Sequence, residues 1–187
     1  MRIIAGKARG TGLVKFREKQ IRPTLDRVKE SLFSQIQPYL ENARFLDSFA
    51  GTGAIGLEAW SRGAESVVLV EKDSRAFAIV CKNMDKCKSK DTVTAIFSDI
   101  FEAMFVLESN EELFDIIYVD PPFHLKLHDI FLEKLSASSI IKITSIIIVE
   151  HHQKTVLQNS YGKMFLSRRR KVGDTLLSFY GFHQLFS

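Results

Sequence analysis

Hydrophobic and polar positions follow two different rhythms along the chain, one typical of strands and the other of helices. Short apolar runs predict buried strands at 66–71, 92–99, 114–120 and 145–150. Between them, apolar residues recur at helical spacing and predict helices at 73–88, at 100–109 and from just after 123 to 135. Strands that alternate with helices indicate right-handed βαβ units and a parallel sheet with helices on both faces.

The two ends of the chain break this alternation. Two short strands are predicted around a basic, glycine-rich turn, at 2–4 and 12–16. The following segment predicts a helix with Thr24 as its N-cap, which Pro38 brings to an end. Near the carboxyl end, an antiparallel hairpin is predicted at 164–172 and 175–182.

We therefore predict one α/β domain at residues 21–187, with a small basic β-hairpin extension at residues 1–20. The sheet would have seven strands, mostly parallel, and the terminal hairpin would form an antiparallel edge. A chain of 187 residues is long enough to bury a full hydrophobic core. Its 45% hydrophobic and 26% charged residues are typical of a soluble globular protein.

A glycine-rich loop is predicted between a strand ending at Asp47 and a helix at 54–61. Gly51, Gly53 and Gly56 form the pattern G-x-G-x-x-G. The backbone N–H groups of such a loop, together with the helix N-terminus, form a cradle for a nucleotide-like cofactor. The pattern alone is weak, because enzymes that bind NAD or flavin dinucleotides use it as well.

Acidic residues are predicted at the ends of four strands, namely Asp47, Glu71, Asp99 and Asp120. Ligands of parallel sheets bind at these ends. A carboxylate of Asp47 at the loop mouth would repel a pyrophosphate and attract the amino group and sulfonium of S-adenosylmethionine. Glu71 suits the ribose hydroxyls of either cofactor. Asp99 could meet an adenine edge, with Ile100 on its face, or cap the next helix.

The sequence Asp120-Pro121-Pro122-Phe123 favours transfer to an exocyclic amine. The amine of a nucleobase is a poor nucleophile, because its lone pair is delocalised into the ring. The carboxylate of Asp120 and the carbonyl of Pro121 could accept its hydrogens and localise that lone pair. The prolines would hold both acceptors rigidly. Phe123 would give an extruded base an aromatic surface on which to stack.

The net charge of +4 conceals a separation of charge along the chain. Residues 1–30 carry +6 and residues 161–187 carry +4, so the middle of the chain is acidic. A polyanionic partner that touches both ends would explain this separation better than a solvated surface. The basic residues include Arg22 and Arg27 at the entrance of the first predicted helix, and Arg168, Arg169 and Arg170 in the hairpin.

Histidines and cysteines give weaker signals. Cys81 and Cys87 are too far out of phase to share one helix face, and no His/Cys cluster predicts a metal site. We expect His124 and His128 at the surface or at the rim of the substrate site. The side chains of His151-His152 should diverge, which argues against a metal there as well.

Neither a signal peptide nor a membrane span is predicted. The first residues contain no long apolar stretch. The most apolar run, at 140–149, is interrupted by polar residues and is too short to span a bilayer. We therefore expect a cytoplasmic protein.

Longer motifs resemble the bacterial 16S ribosomal RNA guanine-N2 methyltransferases of the RsmD type over nearly the whole chain. The matching segments are 2–6, 9–10, 22–24, 26–28, 30–33, 46–53, 56–59, 61–62 and 120–123. The glycine loop is common to many enzymes that use S-adenosylmethionine. The combination of Arg-Pro-Thr, Asp-Arg-Val and Phe-Ala-Gly-Thr-Gly is far more specific.

The resemblance implies a class I, Rossmann-like methyltransferase with S-adenosylmethionine as cofactor; the residues themselves lead us to expect no metal. It implies a catalytic loop of Asp120, Pro121, Pro122 and Phe123. The resemblance implies that Asp47, Gly51, Gly53, Glu71 and Asp99 bind the cofactor. We expect their neighbours to belong to the same site, namely Phe49, Ala50, Thr52, Lys72 and Ile100. With the charge pattern, the candidate RNA contacts are Arg9, Arg22, Thr24, Arg27, Arg168, Arg169 and Arg170. The expected partner is small-subunit ribosomal RNA in an assembling 30S particle, with no membrane, bound by a monomer.

Three alternatives remain open. A DNA adenine-N6 methyltransferase would also use an Asp-Pro-Pro loop, although 187 residues leave no room for a separate DNA-reading domain. A non-catalytic nucleic-acid-binding module would not need the intact Asp120 to Phe123 loop. An NAD oxidoreductase would be expected to carry a second substrate domain. Guanine suits Asp120 better than adenine, because its Watson–Crick edge offers two adjacent donors.

Overall fold

The computed structural model describes residues 1–15, 23–122 and 127–182 of the chain. These residues contain eight strands: β1 (Arg44–Asp47), β2 (Ser66–Glu71), β3 (Val93–Phe97), β4 (Phe114–Val119), β5 (Ile141–His152), β6 (Ser160–Tyr161), β7 (Met164–Val172) and β8 (Thr175–Gly181). They form one sheet in the order β3-β2-β1-β4-β5-β8-β7-β6. The strands from β1 to β5 are parallel, whereas β8, β7 and β6 are added antiparallel.

Five α-helices cover the two faces of this sheet: α1 (Pro23–Ile36), α2 (Ala54–Ser61), α3 (Ser74–Cys87), α4 (Ile100–Ser109) and α5 (Leu127–Ser136). Helices α1, α2 and α3 pack on one face around Phe45, Leu69 and Ile148. Helices α4 and α5 pack on the other face around Leu46 and Ile147. Neighbouring strand residues alternate between these two cores, as residues of a strand covered on both faces must.

The predicted fold class is confirmed, with two differences in the strands. The sheet has an eighth strand, β6, whose two residues are too few to show any periodicity in the sequence. Strand β5 begins at Ile141, earlier than predicted, because a bulge opposite Phe114 accommodates the polar residues in its first half. There the Ser145 hydroxyl donates to the carbonyl of Phe114 at 2.6 Å and accepts from the N–H of Lys142 at 2.7 Å.

The amino-terminal segment forms one antiparallel bridge, between Arg2 and Gly12, instead of the two predicted strands. Backbone hydrogen bonds from Ile3 N–H to Thr11 C=O (3.0 Å) and from Leu13 N–H to Met1 C=O (3.1 Å) hold its two arms together. The side chains of Ile3 and Leu13 are buried against the core of α1–α3. The segment is therefore folded onto the domain by apolar contacts.

A buried carboxylate fastens this segment to two helices. Glu58 in α2 is fully buried and accepts the N–H groups of Ile4 (2.8 Å) and Ala5 (3.0 Å). It also forms ion pairs with Lys29 of α1 (3.0 Å) and with Arg62 (2.8 Å). The two N–H groups and the two cations compensate the buried negative charge of Glu58. A carboxylate without such partners would be costly to bury at this position.

Within the described ranges, no helix is both long enough and apolar enough to cross a membrane.

Candidate active site

A cavity of about 390 Å³ opens at the carboxyl ends of the parallel strands, a volume typical of small-molecule sites. We name its two parts by their loops. The glycine half is lined by residues that end or follow β1, β2 and β3, among them Ser48, Phe49, Gly51, Glu71, Asp99 and Ile100. The proline half is lined from β4, β5 and α5, by Asp120, Pro121, Pro122, His128, Glu150 and His151. The predicted cofactor loop and the predicted catalytic loop therefore share one cavity.

The glycine loop adopts a conformation that requires glycine at two places. Gly51 and Gly53 have φ angles of 58° and 76°, in the left-handed region. The N–H of Gly51 donates to the Glu71 carboxylate at 2.7 Å, and the N–H of Ala50 donates to the carbonyl of Val70 at 2.9 Å. The loop is thus fastened to the end of β2 before α2 begins.

The Asp47 carboxylate was expected at the mouth of the glycine loop, but the structure does not place it there. The side chain of Asp47 is only 1% exposed and does not line the cavity. The N–H of Gly56 donates to its carboxylate at 3.1 Å, because the backbone of α2 lies directly above the end of β1. Burial raises the pKa of Asp47 from its ordinary value near 3.8 to about 7, although this hydrogen bond favours the charged form.

Glu71, Lys72 and Asp99 form the far side of the glycine half. Glu71 accepts the N–H of Asp73 at 2.7 Å in addition to that of Gly51. Lys72 pairs with Asp99 at 3.1 Å, and both side chains are partly exposed. Asp99 also accepts the N–H of Phe101 at 3.0 Å, which confirms its alternative role as the N-cap of α4. All three residues line the cavity, as does Ile100.

Three other predicted cofactor residues shape the loop without lining the cavity, namely Ala50, Thr52 and Gly53. The carbonyl of Thr52 accepts from the amide group of Asn83 at 2.9 Å, and Asn83 is fully buried in α3. These contacts hold the glycine loop from behind.

The catalytic loop begins where β4 ends. Asp120 is exposed, Pro121 is buried and Pro122 is exposed, and all three line the proline half of the cavity. The fourth predicted residue, Phe123, lies outside the described residues. The structure thus brings Asp120 and both prolines into the same cavity as the glycine loop.

The proline half also contains His128, which was expected at the surface or at the rim of the substrate site, together with Glu150 and His151, which were assigned no role there. His128 is 4% exposed, not at the surface, and its ring meets that of His151 edge to face at 6.2 Å. His151 in turn bonds the hydroxyl of Ser178 at 2.8 Å. Burial lowers the pKa of both histidines and so favours the neutral form of each ring. Glu150 accepts a hydrogen bond from the buried hydroxyl of Tyr118.

Two signals in the sequence could have revealed these residues. Glu150 ends the predicted strand at 145–150, just as the four selected acids end theirs. His128 stands three, four and seven positions before Phe131, Leu132 and Leu135, which is the spacing of a buried helix face. Ser48 follows β1 in the loop and is buried in the wall of the cavity. Nothing comparable in the sequence predicted its burial.

The predicted RNA contacts on β7 lie on both faces of the sheet. Arg168 and Arg170 pair with Phe179 and Leu177 of β8 and so face the core of α1–α3. Arg169 points to the opposite face, where its guanidinium is 3.4 Å from the side-chain oxygen of Asn159. Helix α1, which carries the exposed Arg27, packs beside β7.

The other predicted RNA contacts are not brought to the cavity or are not described. Arg9 follows Lys7 and Ala8, whose N–H groups bind Ser61 at the carboxyl end of α2. This is the end of α2 away from the glycine loop, about 12 Å along an eight-residue helix. Arg22 and the side chain of Thr24 lie outside the described residues.

The comparisons with known proteins identify the family. The family model described as Conserved hypothetical protein 95 matches residues 1–181. The ribosomal RNA small subunit methyltransferase D of Haemophilus influenzae is 35% identical over 150 residues, which are 80% of this chain and 78% of that protein. Its counterpart in Escherichia coli (strain K12) is 32% identical over 180 residues, 96% of this chain and 89% of that protein. The chain belongs to the methyltransferase D family.

Solved structures agree with membership in the methyltransferase D family. The structure of yhhF from Escherichia coli aligns with a TM-score of 0.81 at 30% identity, and the alignment covers 96% of each chain. SMU.776, solved in complex with SAH, shares the fold with a TM-score of 0.68 at 15% identity, over 86% of this chain and 50% of that one. The fold is that of the class I methyltransferases, and S-adenosylmethionine is the cofactor.

Proposed function

We propose that the protein transfers a methyl group from S-adenosylmethionine to the exocyclic N2 amine of a guanine in 16S ribosomal RNA, of the guanine 966 type. One observation carries this proposal: the Asp120-Pro121-Pro122 loop and the glycine loop line the same cavity. A methyl donor and an aromatic amine could therefore meet there. The names of the relatives from Haemophilus influenzae and Escherichia coli support ribosomal RNA as the substrate.

The glycine half fits S-adenosylmethionine by its chemistry. Glu71 offers carboxylate oxygens to ribose hydroxyls, and Ile100 offers an apolar surface to adenine. The hydroxyl of Ser48 is buried in the cavity wall, where it has no hydrogen-bond partner within the described ranges. A buried hydroxyl without a partner is costly, and a polar group of a bound ligand would satisfy it.

The proposed reaction depends on the acceptors of the catalytic loop. S-adenosylmethionine supplies an electrophilic methyl group when it is bound. The carboxylate of Asp120 and the carbonyl of Pro121 accept the hydrogens of the amine and localise its lone pair. Since neither proline carries an N–H, Pro121 and Pro122 offer no backbone donor that would compete with the amine for these acceptors, and their rigid rings leave little reorganisation. Phe123 is assigned to stacking on the flipped base from the sequence alone.

The basic residues support docking on a nucleic acid. Arg27 and the arginines of β7 lie on neighbouring elements, so a single backbone segment could contact both. Arg9 lies near the other end of α2, so an RNA that also contacts Arg9 would have to extend along that helix. We propose that these residues, with Arg22 and Thr24, bind phosphates and leave the choice of base to the cavity.

The test is methyl transfer from labelled S-adenosylmethionine to three substrates in parallel, which are 16S rRNA, small-subunit particles and plasmid DNA. We expect the label in RNA, with the assembling 30S particle as the better substrate. Hydrolysis to nucleosides should give N2-methylguanosine. N6-methyladenine in the DNA would instead support the alternative of a DNA adenine-N6 methyltransferase. A lack of transfer to RNA, with binding intact, would support a non-catalytic module.

A further inference from the structure

Glu150 stands beside Asp120 at the edge of the sheet. Val119 of β4 pairs in parallel register with Val149 of β5, so the next residues on the two chains are Asp120 and Glu150. Adjacent strands lie about 4.8 Å apart. Both residues line the proline half of the cavity. The carboxyl group of Glu150 therefore lies next to that of Asp120, which we propose binds the target amine.

Both acids also lie close to Tyr118. Tyr118 and Ile148 pair with each other and lie in the core of α1–α3. Because side chains alternate along a strand, Glu150 of β5 returns to that face two places further on. Asp120 follows the last residue of β4; burial raises the pKa of the Tyr118 hydroxyl, and the nearby charges of Glu150 and Asp120 raise it further. The hydrogen bond between Tyr118 and Glu150 agrees with this placement for Glu150.

Tyr118 fixes the orientation of Glu150. The ring of Tyr118 is 2% exposed, and its hydroxyl donates to one oxygen of Glu150, Oε2. A carboxylate accepts hydrogen bonds at both oxygens, so this contact leaves acceptor capacity for a group in the cavity. Burial raises the pKa of Glu150, which agrees with a carboxyl group withdrawn from water. A carboxyl group with a fixed orientation can recognise the donors of a base more selectively than a mobile carboxyl group at the surface can.

We propose that Glu150 accepts the N1–H of the target guanine while Asp120 holds the N2 amine, so that Glu150 determines the preference for guanine over adenine. This inference rests on the function proposed above. The guanine edge presents N1–H and N2–H side by side, and two neighbouring acceptors match two neighbouring donors. Adenine presents an acceptor at N1, which would face the carboxylate without a hydrogen bond. Asp120 alone would have to serve both donors of guanine.

The test compares guanine with 2-aminopurine at the methylated position of the RNA. 2-Aminopurine keeps the 2-amine but has an acceptor at N1 in place of the donor. The position is first located by mass spectrometry of 16S rRNA methylated by the wild-type protein. RNA with either base there is then assembled into the substrate particle, and kcat/KM is measured for both.

The wild-type protein should prefer guanine by at least about tenfold, the effect of one lost hydrogen bond to a charged group. In Glu150→Gln, the hydroxyl of Tyr118 should bind the amide oxygen and turn the NH2 group toward the base. That NH2 group can donate to N1 of 2-aminopurine. We therefore expect transfer to 2-aminopurine to rise and the preference for guanine to fall by about tenfold.

Two further variants separate recognition from stability. Tyr118→Phe should reduce the preference for guanine in part, because Tyr118 is a positioning residue that acts through Glu150. Glu65→Gln makes the same chemical change at an exposed residue just before β2 and should leave the preference unchanged. Calorimetric binding of S-adenosylmethionine by each variant checks that it is folded.

The outcomes distinguish the two proposals. Guanine methylation with the same preference in wild type and Glu150→Gln would overturn the role of Glu150 and leave the proposed function standing. Methylation of adenine by the wild type, or no methylation of RNA at all, would overturn both. A lower preference in Glu150→Gln, with Glu65→Gln unchanged, would support the assignment.

Discussion

The glycine half and the proline half of the cavity are held together by different kinds of contact. In the glycine half, backbone N–H groups bind the acids, as Gly51 and Asp73 do for Glu71. In the proline half, side chains from different elements bind one another, as Tyr118 does for Glu150. The glycine half is therefore held mainly by backbone donors, with one side-chain ion pair between Lys72 and Asp99, and the proline half mainly by contacts between side chains.

This difference bears on what a substitution can change. A site made of backbone groups keeps its donors whatever side chains surround it, which suits a cofactor with fixed chemistry. A site made of side chains changes its pattern of donors and acceptors with one substitution. We therefore expect single changes in the proline half to alter catalysis or base choice, and changes in the glycine half to alter cofactor affinity.

The largest effect should come from Asp120→Ala, which removes the proposed acceptor of the amine. We expect methyl transfer to fall by about 10³-fold, because a preorganised partner of the reacting group is lost. The affinity for S-adenosylmethionine should stay within about twofold of wild type. Single-turnover transfer from labelled cofactor and calorimetry measure the two quantities. Transfer near the wild-type rate would show that Asp120 has another role.

The next effect concerns stability and comes from Asp47, the buried acid behind the glycine half. The pKa of Asp47 is about 7 in the folded protein and near 3.8 when unfolded, so the folded state keeps a proton that the unfolded state releases. The free energy of unfolding should therefore fall as the pH rises from 4 to 7, by up to about 4 kcal/mol from this group.

Asp47→Asn tests this linkage, because its amide oxygen can still accept from Gly56 and does not titrate. Relative to this variant, the wild type should lose stability between pH 4 and pH 7, and the difference should level off above pH 7. Urea unfolding of both proteins at several pH values gives the difference. Parallel curves for the two proteins across that range would contradict the assignment to Asp47.

Glu71→Ala should weaken S-adenosylmethionine binding about 10- to 100-fold, by loss of a charge-assisted hydrogen bond to ribose. The rate at saturating cofactor should change little, in contrast to Asp120→Ala. Calorimetry and transfer at high cofactor concentration separate the two. NAD is the control ligand and should not bind detectably; tight NAD binding without S-adenosylmethionine binding would reverse the cofactor assignment.

The smallest effects per residue should come from the basic clusters. We would replace Arg168, Arg169 and Arg170 together by Gln and, in a second variant, Arg9, Arg22 and Arg27. Each lost phosphate contact should flatten the dependence of log affinity on log salt by roughly 0.7–0.9, without changing the methylated base. RNA binding at several salt concentrations measures the slope. Unchanged slopes in both variants would show that the charge separation only solvates the surface.

The parts of the molecule that depend on local sequence could be predicted well. Helices α2 and α4 have the predicted bounds, because the glycine loop and the Asp99 cap set where they begin. The order of acids along the strand ends followed from the βαβ pattern. These features need only the nearest residues and the handedness of the chain.

The parts that depend on packing could not be predicted. The direction of the Asp47 carboxylate depends on how closely α2 approaches β1, which no pattern within β1 reveals. The burial of His128 depends on where α5 rests on the sheet, and its contact with His151 joins residues 23 positions apart. The proximity of Asp120 and Glu150 depends on the β4–β5 register. Each of these is a relation between distant segments.

At Gly56, helix α2 lies so close to β2 that a β-carbon would stand 2.2 Å from Leu69 Cδ2. The helix can approach the strand this closely because residue 56 has no side chain, and the loop ahead of it is fastened by the N–H groups of Gly51 and Ala50. The loop therefore loses its conformational entropy when the protein folds, not when the cofactor arrives. S-adenosylmethionine association should accordingly follow single-exponential kinetics with a rate linear in cofactor concentration, as expected for a site that is ordered beforehand.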